Sequence, residues 1–413
     1  MRRGWRLAGT LAAVAGVCLL LPGLAAAAPA AGIAGAQALT GARPAAGVAG
    51  ASVLTGARPV AGVAGASALA GRWQQRAPRV PTPGYSSQLS GAGCDTATRC
   101  WAVGERGTAS QATYSEIFRW TSHGWATVAI PDPHTQSSLS AISCPARDHC
   151  LAVGWTKPHS KAIRAGAMRW NGTKWSVASA PAGVGSLGAL SCAAPRNCWA
   201  LDVHDGLAVH WNGQRWGRPV RLPGTVDPNA IACPTATDCW VTGLYVKQKN
   251  ENLYNLIMHW NGRAWRGVRV PQPGNTNVLN AVTCVSKADC WAAGSNDTRA
   301  SVHIRNEVLH WNGRRWSLVP TPKGPRPNSE LLGISCFTKV RCWAVGDDSA
   351  TTEALHWDGH HWSLVGTPDP GGGGFLFAVR CPARTNCLTV GFSHVPPTQN
   401  LALHWNGTKW QQI

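Results

Sequence analysis

A pair of cysteines separated by five residues recurs seven times along the chain, and this spacing constrains the fold more than any other feature. Successive first cysteines lie 50, 48, 41, 51, 52 and 45 residues apart. Constant spacing within the pairs and variable spacing between them indicate repeated structural units joined by loops of different length. The seven pairs are Cys94/Cys100, Cys144/Cys150, Cys192/Cys198, Cys233/Cys239, Cys284/Cys290, Cys336/Cys342 and Cys381/Cys387.

Each unit reads as four short β-strands, because aromatic and β-branched residues recur with period two. In the fifth unit the first strand ends at Cys284, the second starts at Cys290, the third ends at Trp311 and the fourth starts at Trp316. An Asn-Gly pair between the third and fourth strands predicts a tight hairpin, because both residue types can take positive φ. A Pro-x-Pro segment then ends the unit, because proline cannot continue a central strand.

Seven repeats of four antiparallel strands predict an all-β fold, one closed seven-bladed β-propeller. The alternative is a string of independent β domains, but one unit buries too little surface to be stable alone. The segment 73–83 matches the end of a fourth strand, so we expect it to lie against the last blade and close the ring. The blades are expected at about 88–133, 138–181, 186–223, 227–273, 278–322, 330–370 and 375–413.

The repeated unit, which reads CWAVG and then HWNGxxW, is similar to the kelch or galactose-oxidase type of propeller in its strand order. It resembles most the secreted Trp- and Cys-rich repeat proteins of high-GC Gram-positive bacteria, over about 88–413. It departs from kelch units, which carry two adjacent glycines after the second strand, because only one is present here, as at Gly104 or Gly346. It also lacks the Ser-x-Asp-x-Gly-x-x-Trp box of sialidases. The resemblance implies the propeller fold alone.

The N-terminal region divides into two segments that precede the propeller at 72–413. Residues 1–30 read as a secretory signal peptide, with arginines, an apolar run and an Ala-Pro-Ala site ending at Ala30. An uncleaved membrane anchor is the alternative. Residues 31–71 repeat with period 15 and contain few large side chains, so they predict a disordered Ala/Gly-rich spacer. A sequence expansion without function is the other interpretation. We therefore expect a secreted protein with no membrane span in the mature chain, either free or associated with the cell wall.

The cysteines predict disulfide bonds within each unit. Fourteen of the 15 cysteines fall in pairs, and the remaining one, Cys18, lies in the leader. In an exported chain paired cysteines form bridges, and neighbouring antiparallel strands bring them close enough. Metal binding is the alternative, but zinc sites usually have two to four residues between ligands and a second ligand pair.

Tryptophan and histidine also recur at fixed positions. A Trp follows the second cysteine in five units and is replaced by Leu151 and Leu388 in the other two. Aromatic residues can bind sugars, but their presence in every unit favours packing between blades. A histidine precedes the third-strand Trp in five units, with Arg119 and Arg169 in the equivalent place, so it reads as a structural position and not a metal cluster. These histidines are His210, His259, His310, His356 and His404.

The charge of the chain favours anionic partners. The formal net charge of +19 falls to +16 without the three leader arginines. Such a surface suits an anionic cell-wall polymer, an acidic glycan or an acidic protein. We expect no nucleic-acid binding, since the chain has no basic helix and no recognised nucleic-acid motif. A basic surface without a specific ligand is the alternative, and we expect a monomer.

Strand alternation places the cysteine loops and the Asn-Gly turns on one side of the ring and the variable loops on the other. Function on a rigid scaffold concentrates in variable loops, so we expect the ligand there. Arg164, Lys247, Lys249 and Arg299 are the cations that we expect to contact it.

One unit departs from the pattern, because Asp202 stands where the others have glycine, followed closely by His204 and Asp205. Such a set could bind a divalent metal or act as an acid and base, although a repeat that lost its glycine is the favoured interpretation. Asp347 and Asp348 are a weaker candidate of the same kind.

We therefore expect a non-catalytic extracellular binding module without a cofactor. The alternatives are an enzyme that acts on a glycan or an oxidisable alcohol, and a structural scaffold of the envelope. A copper-radical oxidase would need a cross-linked Tyr-Cys pair, and the chain has only four tyrosines and no unpaired cysteine after the leader.

Overall fold

The computed structural model describes residues 86–121, 124–131, 135–158, 161–247, 252–298, 301–324, 326–368, 372–394 and 397–413. These residues form 28 strands in seven four-stranded antiparallel sheets, which confirms the seven-bladed β-propeller. None of them lies in a helix long and apolar enough to cross a membrane. The predicted signal peptide at 1–30 and the spacer at 31–71 lie outside the described residues and stay predictions.

Each blade is formed by four consecutive strands, paired in chain order. Blade 1 contains β1 (Ser87–Cys94), β2 (Cys100–Gly107), β3 (Thr113–Thr121) and β4 (Gly124–Thr127). Blade 2 contains β5 (Gln136–Ala146), β6 (His149–Lys157), β7 (Arg164–Trp170) and β8 (Trp175–Val177). Blade 3 contains β9 (Ala189–Ala194), β10 (Asn197–Asp202), β11 (Leu207–Trp211) and β12 (Val220–Arg221). Blade 4 contains β13 (Asp227–Thr235), β14 (Asp238–Val246), β15 (Leu253–Trp260) and β16 (Trp265–Gly267).

The remaining three blades follow the same plan. Blade 5 contains β17 (Thr276–Ser286), β18 (Asp289–Thr298), β19 (Ser301–Trp311) and β20 (Trp316–Val319). Blade 6 contains β21 (Glu330–Thr338), β22 (Arg341–Asp347), β23 (Thr352–Trp357) and β24 (Trp362–Leu364). Blade 7 contains β25 (Gly374–Ala383), β26 (Asn386–Ser393), β27 (Gln399–Trp405) and β28 (Trp410–Gln412). The first strand of each blade contacts the first strand of the next, so these strands surround the centre of the ring.

All seven predicted disulfides are present, each within one blade. The Cα atoms of each pair are 3.9–4.1 Å apart, because the hairpin of the first two strands already brings the two positions together. Each bridge therefore fixes the inner hairpin of its blade. The bridges join Cys94 to Cys100, Cys144 to Cys150, Cys192 to Cys198, Cys233 to Cys239, Cys284 to Cys290, Cys336 to Cys342 and Cys381 to Cys387.

The two cysteines of a pair differ in burial, which their spacing does not predict. The second cysteine lies at or next to the start of the second strand and belongs to the hydrophobic core, with an exposed fraction of 0–3% in every blade. These seven sulfur atoms are therefore part of the framework of the blades. The buried second cysteines are Cys100, Cys150, Cys198, Cys239, Cys290, Cys342 and Cys387.

The packing between blades depends on the side chain that follows the second cysteine. Trp240 of blade 4 is almost fully buried between two tryptophans of blade 5, with ring centroids 4.8 Å from Trp311 and 5.3 Å from Trp316. Four other interfaces repeat this three-ring cluster, which confirms the predicted role in packing. Leu151 and Leu388 occupy the same position at the two remaining interfaces. The other clusters are Trp101 with Trp170 and Trp175, Trp199 with Trp260 and Trp265, Trp291 with Trp357 and Trp362, and Trp343 with Trp405 and Trp410.

The ring closes between blades 7 and 1. Leu388 packs with Phe118 and partly buried Trp120, and the Ser87 N–H donates to the Thr398 carbonyl at 2.8 Å. Trp410–Gln412 supplies the fourth strand of blade 7 from the C-terminus. The segment 73–83, which we expected to lie against this blade, falls outside the described residues.

The hairpin turns between third and fourth strands use asparagine and glycine in different ways. Gly172 has a φ of +96°, but Asn171 does not take positive φ. The Asn171 Oδ1 instead accepts the backbone N–H groups of Thr173 at 3.1 Å and Lys174 at 3.0 Å. The predicted hairpin is therefore present, with the asparagine side chain stabilising the turn and the glycine alone taking positive φ. The same glycine conformation recurs at Gly213, Gly262, Gly313, Gly359 and Gly407.

The glycine that ends CWAVG is required by a β-bulge in the neighbouring strand. A Cβ atom at Gly294 would lie 1.9 Å from the Val278 carbonyl oxygen, beside the register shift that follows Leu279. Six blades have this bulge with a glycine opposite it. Blade 3 has Asp202 in the glycine position, and its first strand begins only at Ala189, without the bulge. Glycine and bulge are therefore coupled.

We predict that Gly294→Ala destabilises the protein by about 3 kcal/mol or more, because the methyl group collides with a backbone carbonyl. Gly267→Ala is the matched control, since a Cβ at that strand position meets no atom within 4 Å. Urea unfolding of the oxidised protein measures both variants. Equal stability of the two would show that the bulge adapts and that the glycine is dispensable.

Candidate functional site

The two sides of the ring are chemically different. One side, here called the disulfide face, consists of the loops within the cysteine pairs and the turns between third and fourth strands. The two parts touch within a blade, because Gly213 lies against Arg196 and Gly262 lies against Thr237. The opposite side, here called the loop face, carries the connections of variable length, such as 203–206 and 320–329.

The disulfide face carries a repeated set of exposed cations. Arg147 is the only one of these with a carboxylate within 4 Å among the described residues, its distance to Asp148 being 3.7 Å. Most blades contribute one cation from the cysteine loop and one from the turn, so positive charge extends around blades 2 to 7. The exposed cations are Arg147, Lys174, Arg196, Arg215, Arg263, Lys287, Arg314, Arg315, Lys339, Arg384 and Lys409.

The few carboxylates on the disulfide face are engaged locally. Asp95 and Asp148 both bind Arg99, and Asp289 accepts from His310 Nε2 at 3.2 Å. Asp358 accepts the backbone N–H groups of His361 and His360, which hold its pKa below the usual range. These carboxylates therefore neutralise neighbours within the framework and leave the exposed cations largely uncompensated.

The loop face holds eleven of the sixteen described carboxylates, and nine of the eleven are buried or half-buried. Of the four cations that we expected to contact a ligand, Arg164 and Lys247 are exposed on the loop face, while Lys249 and Arg299 lie outside the described residues. The cations at repeated positions lie on the disulfide face, in the cysteine loops and the turns. The carboxylates are Glu105, Glu116, Asp202, Asp205, Asp227, Asp297, Glu307, Glu330, Asp347, Asp348 and Glu353.

Three of these carboxylates bridge neighbouring blades through asparagine. Each bond joins adjacent third strands near the loop face, where an Asn Nδ2 donates to a Glu of the next blade. The bonds are Asn255 to Glu307 at 2.5 Å, Asn306 to Glu353 at 2.9 Å and Asn400 to Glu116 at 3.2 Å.

The two partners of this bond occur together or not at all. Wherever the receiving position is not Glu, the donating position is not Asn either. The joint presence or absence indicates that the pair is a single unit of interface packing. The four interfaces without it have Ser115 with Gly166, Ala165 with Leu207, Gly206 with Leu256, and Thr352 with Leu401.

Burial changes the acidity of these carboxyl groups. It raises the pKa of Glu307 to about 8, although hydrogen bonds from Asn255 and Asn296 oppose the change. It also raises the pKa of Asp347 and of Glu353 to about 7. One oxygen of each of these three side chains has no hydrogen-bond partner among the described residues. A proton on the carboxyl group lowers the cost of leaving such an oxygen buried.

The Asp202 side chain stabilises the turn that follows it. Its Oδ1 accepts the N–H groups of His204 at 3.1 Å and Asp205 at 3.2 Å, and its Oδ2 accepts that of Gly185 at 3.3 Å. Among the described residues, no three His, Cys, Asp or Glu side chains are placed to hold a metal ion together. The proposed acid, base or metal role of Asp202, His204 and Asp205 stays a prediction.

Comparisons with known proteins support the fold. No protein-family model matches the chain, and no curated protein sequence matches it. The structure of U3-55K has a TM-score of 0.50 at 10% identity, covering 75% of this chain and 90% of that chain. A catalytically inactive virginiamycin B lyase from Staphylococcus aureus with quinupristin has a TM-score of 0.50 at 11% identity, covering 76% of this chain and 94% of that chain. At such identities the likeness shows the fold alone.

We predict that Glu307→Gln makes the protein less sensitive to alkaline pH. A carboxyl with a pKa raised from 4.5 to about 8 stabilises the fold fully below about pH 4.5, and this stability is lost as the pH rises to about 8. The amide stays neutral and keeps an oxygen that can accept from Asn255. Above pH 8 the variant should unfold roughly 5 °C higher than the wild type.

Thermal unfolding followed between about pH 5 and 9 tests this expectation. The exposed Asp205→Asn serves as the control that removes a carboxylate from the loop face. Parallel curves for wild type and Glu307→Gln would contradict the assigned protonation.

Proposed function

We propose that this protein is a secreted, non-catalytic β-propeller that binds an anionic polymer, such as a cell-wall polymer or an acidic glycan, through its disulfide face. The observation that carries the proposal is the set of eleven exposed cations at repeated positions on that face. Cations distributed around a ring match a ligand with repeated negative charges better than a small molecule, because no single ligand group reaches them all.

The framework supports this use. The turns and cysteine loops that present the cations are held by disulfides and by side-chain bonds such as that of Asn212 Oδ1 to the Arg215 N–H at 2.9 Å. A preorganised surface loses less conformational entropy on binding than a flexible one. Cationic side chains on rigid turns therefore suit attachment to a flexible polymer.

Secretion is part of the same proposal. Seven disulfides indicate an oxidising compartment, which agrees with the signal peptide predicted at 1–30. We also propose kinship with kelch or galactose-oxidase propellers and with the secreted Trp- and Cys-rich repeat proteins, on the basis of the repeated CWAVG and HWNGxxW segments.

A glycan-active enzyme with its site on the loop face is the second candidate. The raised pKa of Glu353 and of Asp347 is typical of carboxyl groups that act as general acids. Their exposed fractions are only 3% and 6%, however, and Glu353 accepts from Asn306. The geometry therefore favours a role in the blade interface.

We predict that replacing Lys174, Arg215, Arg315 and Lys409 with Gln weakens binding to polyphosphate and hyaluronate. These residues occupy the same turn position in four blades. The slope of log affinity against log salt should fall by roughly one for each cation that contacts the polymer. Binding of the full-length oxidised protein can be measured by interferometry at several salt concentrations, with neutral dextran as the reference ligand.

The matched control replaces Lys157, Lys161, Lys247 and Lys323 on the loop face with Gln, which removes the same charge. It should retain the greater part of the affinity. An equal loss of affinity in both variants would mean that binding depends only on net charge. A greater loss of affinity in the loop-face variant would mean that the polymer binds to the loop face.

A further inference from the structure

A cavity of about 170 Å³ lies between blades 1 and 2, near the loop face. Its walls include Ser115, Ser137, Trp155, Arg164 and Met168. A space of this size is comparable to cavities that hold one six-membered ring. The cavity is separate from the disulfide face and from the cations assigned to polymer binding.

The cavity exists because this interface lacks the Asn–Glu pair. Ser115 stands where Asn255, Asn306 and Asn400 donate at other interfaces, and Gly166 stands where their Glu partners are. Two large polar side chains are thus replaced by a hydroxymethyl group and a hydrogen atom. The other interfaces without the pair retain more side-chain volume, as with Thr352 and Leu401.

The polar groups of the cavity are arranged to bind a ligand. The Ser115 N–H and hydroxyl both donate to Ser137 Oγ, at 3.4 and 2.9 Å. Ser137 is buried and lines the cavity together with Ser115. Arg164 is exposed at the edge and forms no ion pair with a described carboxylate.

Apolar side chains form the other part of the cavity wall. Trp155 is half-buried and lines the cavity together with Met168 and proline residues. An aromatic side chain provides a large rigid surface on which a ring can pack at low entropic cost. A serine hydroxyl bonds ring hydroxyl groups, and a guanidinium binds a carboxylate with two hydrogen bonds.

We propose that this cavity binds one six-membered sugar ring that carries a carboxylate, such as the uronic acid at the end of an acidic glycan. Trp155 packs against the ring, Ser115 and Ser137 bond its hydroxyl groups, and Arg164 binds the carboxylate. This site recognises a single sugar unit, whereas the disulfide face binds a polymer through charges distributed around the ring.

Saturation-transfer NMR with glucuronate and the full-length oxidised protein tests the proposal. We expect transfer to glucuronate, weaker transfer to glucose, and an affinity for glucuronate that falls roughly tenfold in Arg164→Gln. Lys161→Gln is the control, since it removes a cation from the preceding loop without lining the cavity.

The double variant Ser115→Asn with Gly166→Glu tests the cavity itself, because it builds the pair that three other interfaces contain. A Cβ atom at Gly166 would lie 3.2 Å from the carbonyl carbon of Trp155, so the neighbouring strand must shift by a few tenths of an ångström. We expect loss of glucuronate transfer with unfolding temperature retained, and with polyphosphate binding unchanged.

Three results would overturn the proposal. The first is glucuronate binding that survives in the double variant, and the second is tighter binding of benzoate than of glucuronate, which would identify an aromatic acid as the ligand. The third is no transfer to glucuronate in the wild type. Polyphosphate binding is measured separately. A cavity that does not bind glucuronate would therefore leave polymer binding by the disulfide face unaffected.

Discussion

The insertion of one side chain from each blade between two tryptophans of the next is the interaction on which the ring depends. Trp291 shows it clearly, because it is 1% exposed and lies 4.9 Å from Trp357 and 5.7 Å from Trp362 between ring centroids. Aromatic pairs of this kind contribute about 0.5–1.5 kcal/mol each beyond their burial. Since every interface has this contact or its leucine counterpart, each blade is stable only beside its neighbours.

The inserted tryptophan also explains why the remaining repeated residues have the positions they have. The disulfide next to Trp291 joins Cys284 and Cys290, and so fixes the strand from which the side chain projects. His310 stacks on the same indole with ring centroids 4.1 Å apart and contacts Asp289. The cysteine loop, the histidine and the turn thus form one rigid support on the disulfide face. Cations placed there are presented at fixed separations.

The sequence predicts the framework well because each repeated residue meets a local requirement. The cysteine spacing, the tryptophan after the second cysteine and the Asn-Gly turn all give the correct strands and disulfides, since antiparallel hairpins place these residues by pairing alone. The repeated cations of the disulfide face, such as Lys174, Arg215 and Arg315, did not stand out in the sequence, because they lie in the constant turns and not in the variable loops.

The cavity between blades 1 and 2 could not be predicted from the repeated residues. Its position depends on Ser115 and Gly166, which are 51 residues apart in sequence and meet only across an interface. The signal that identifies them is the Asn–Glu pair at three other interfaces, and that pair is recognisable only once the strand register is known. Burial between blades likewise determines the raised pKa of Glu307, and burial is a property of the assembled ring.

Hydrogen exchange measured with and without a polyanion tests the central claim most directly, because it reports both faces in a single experiment. Polyphosphate added to the full-length oxidised protein should slow exchange in the cysteine loops and turns of blades 2 to 7, including 193–197 and 312–315. Exchange in loop-face segments such as 203–206 and 320–324 should stay unchanged. Protection confined to the loop-face segments would contradict the assignment of the polymer to the disulfide face.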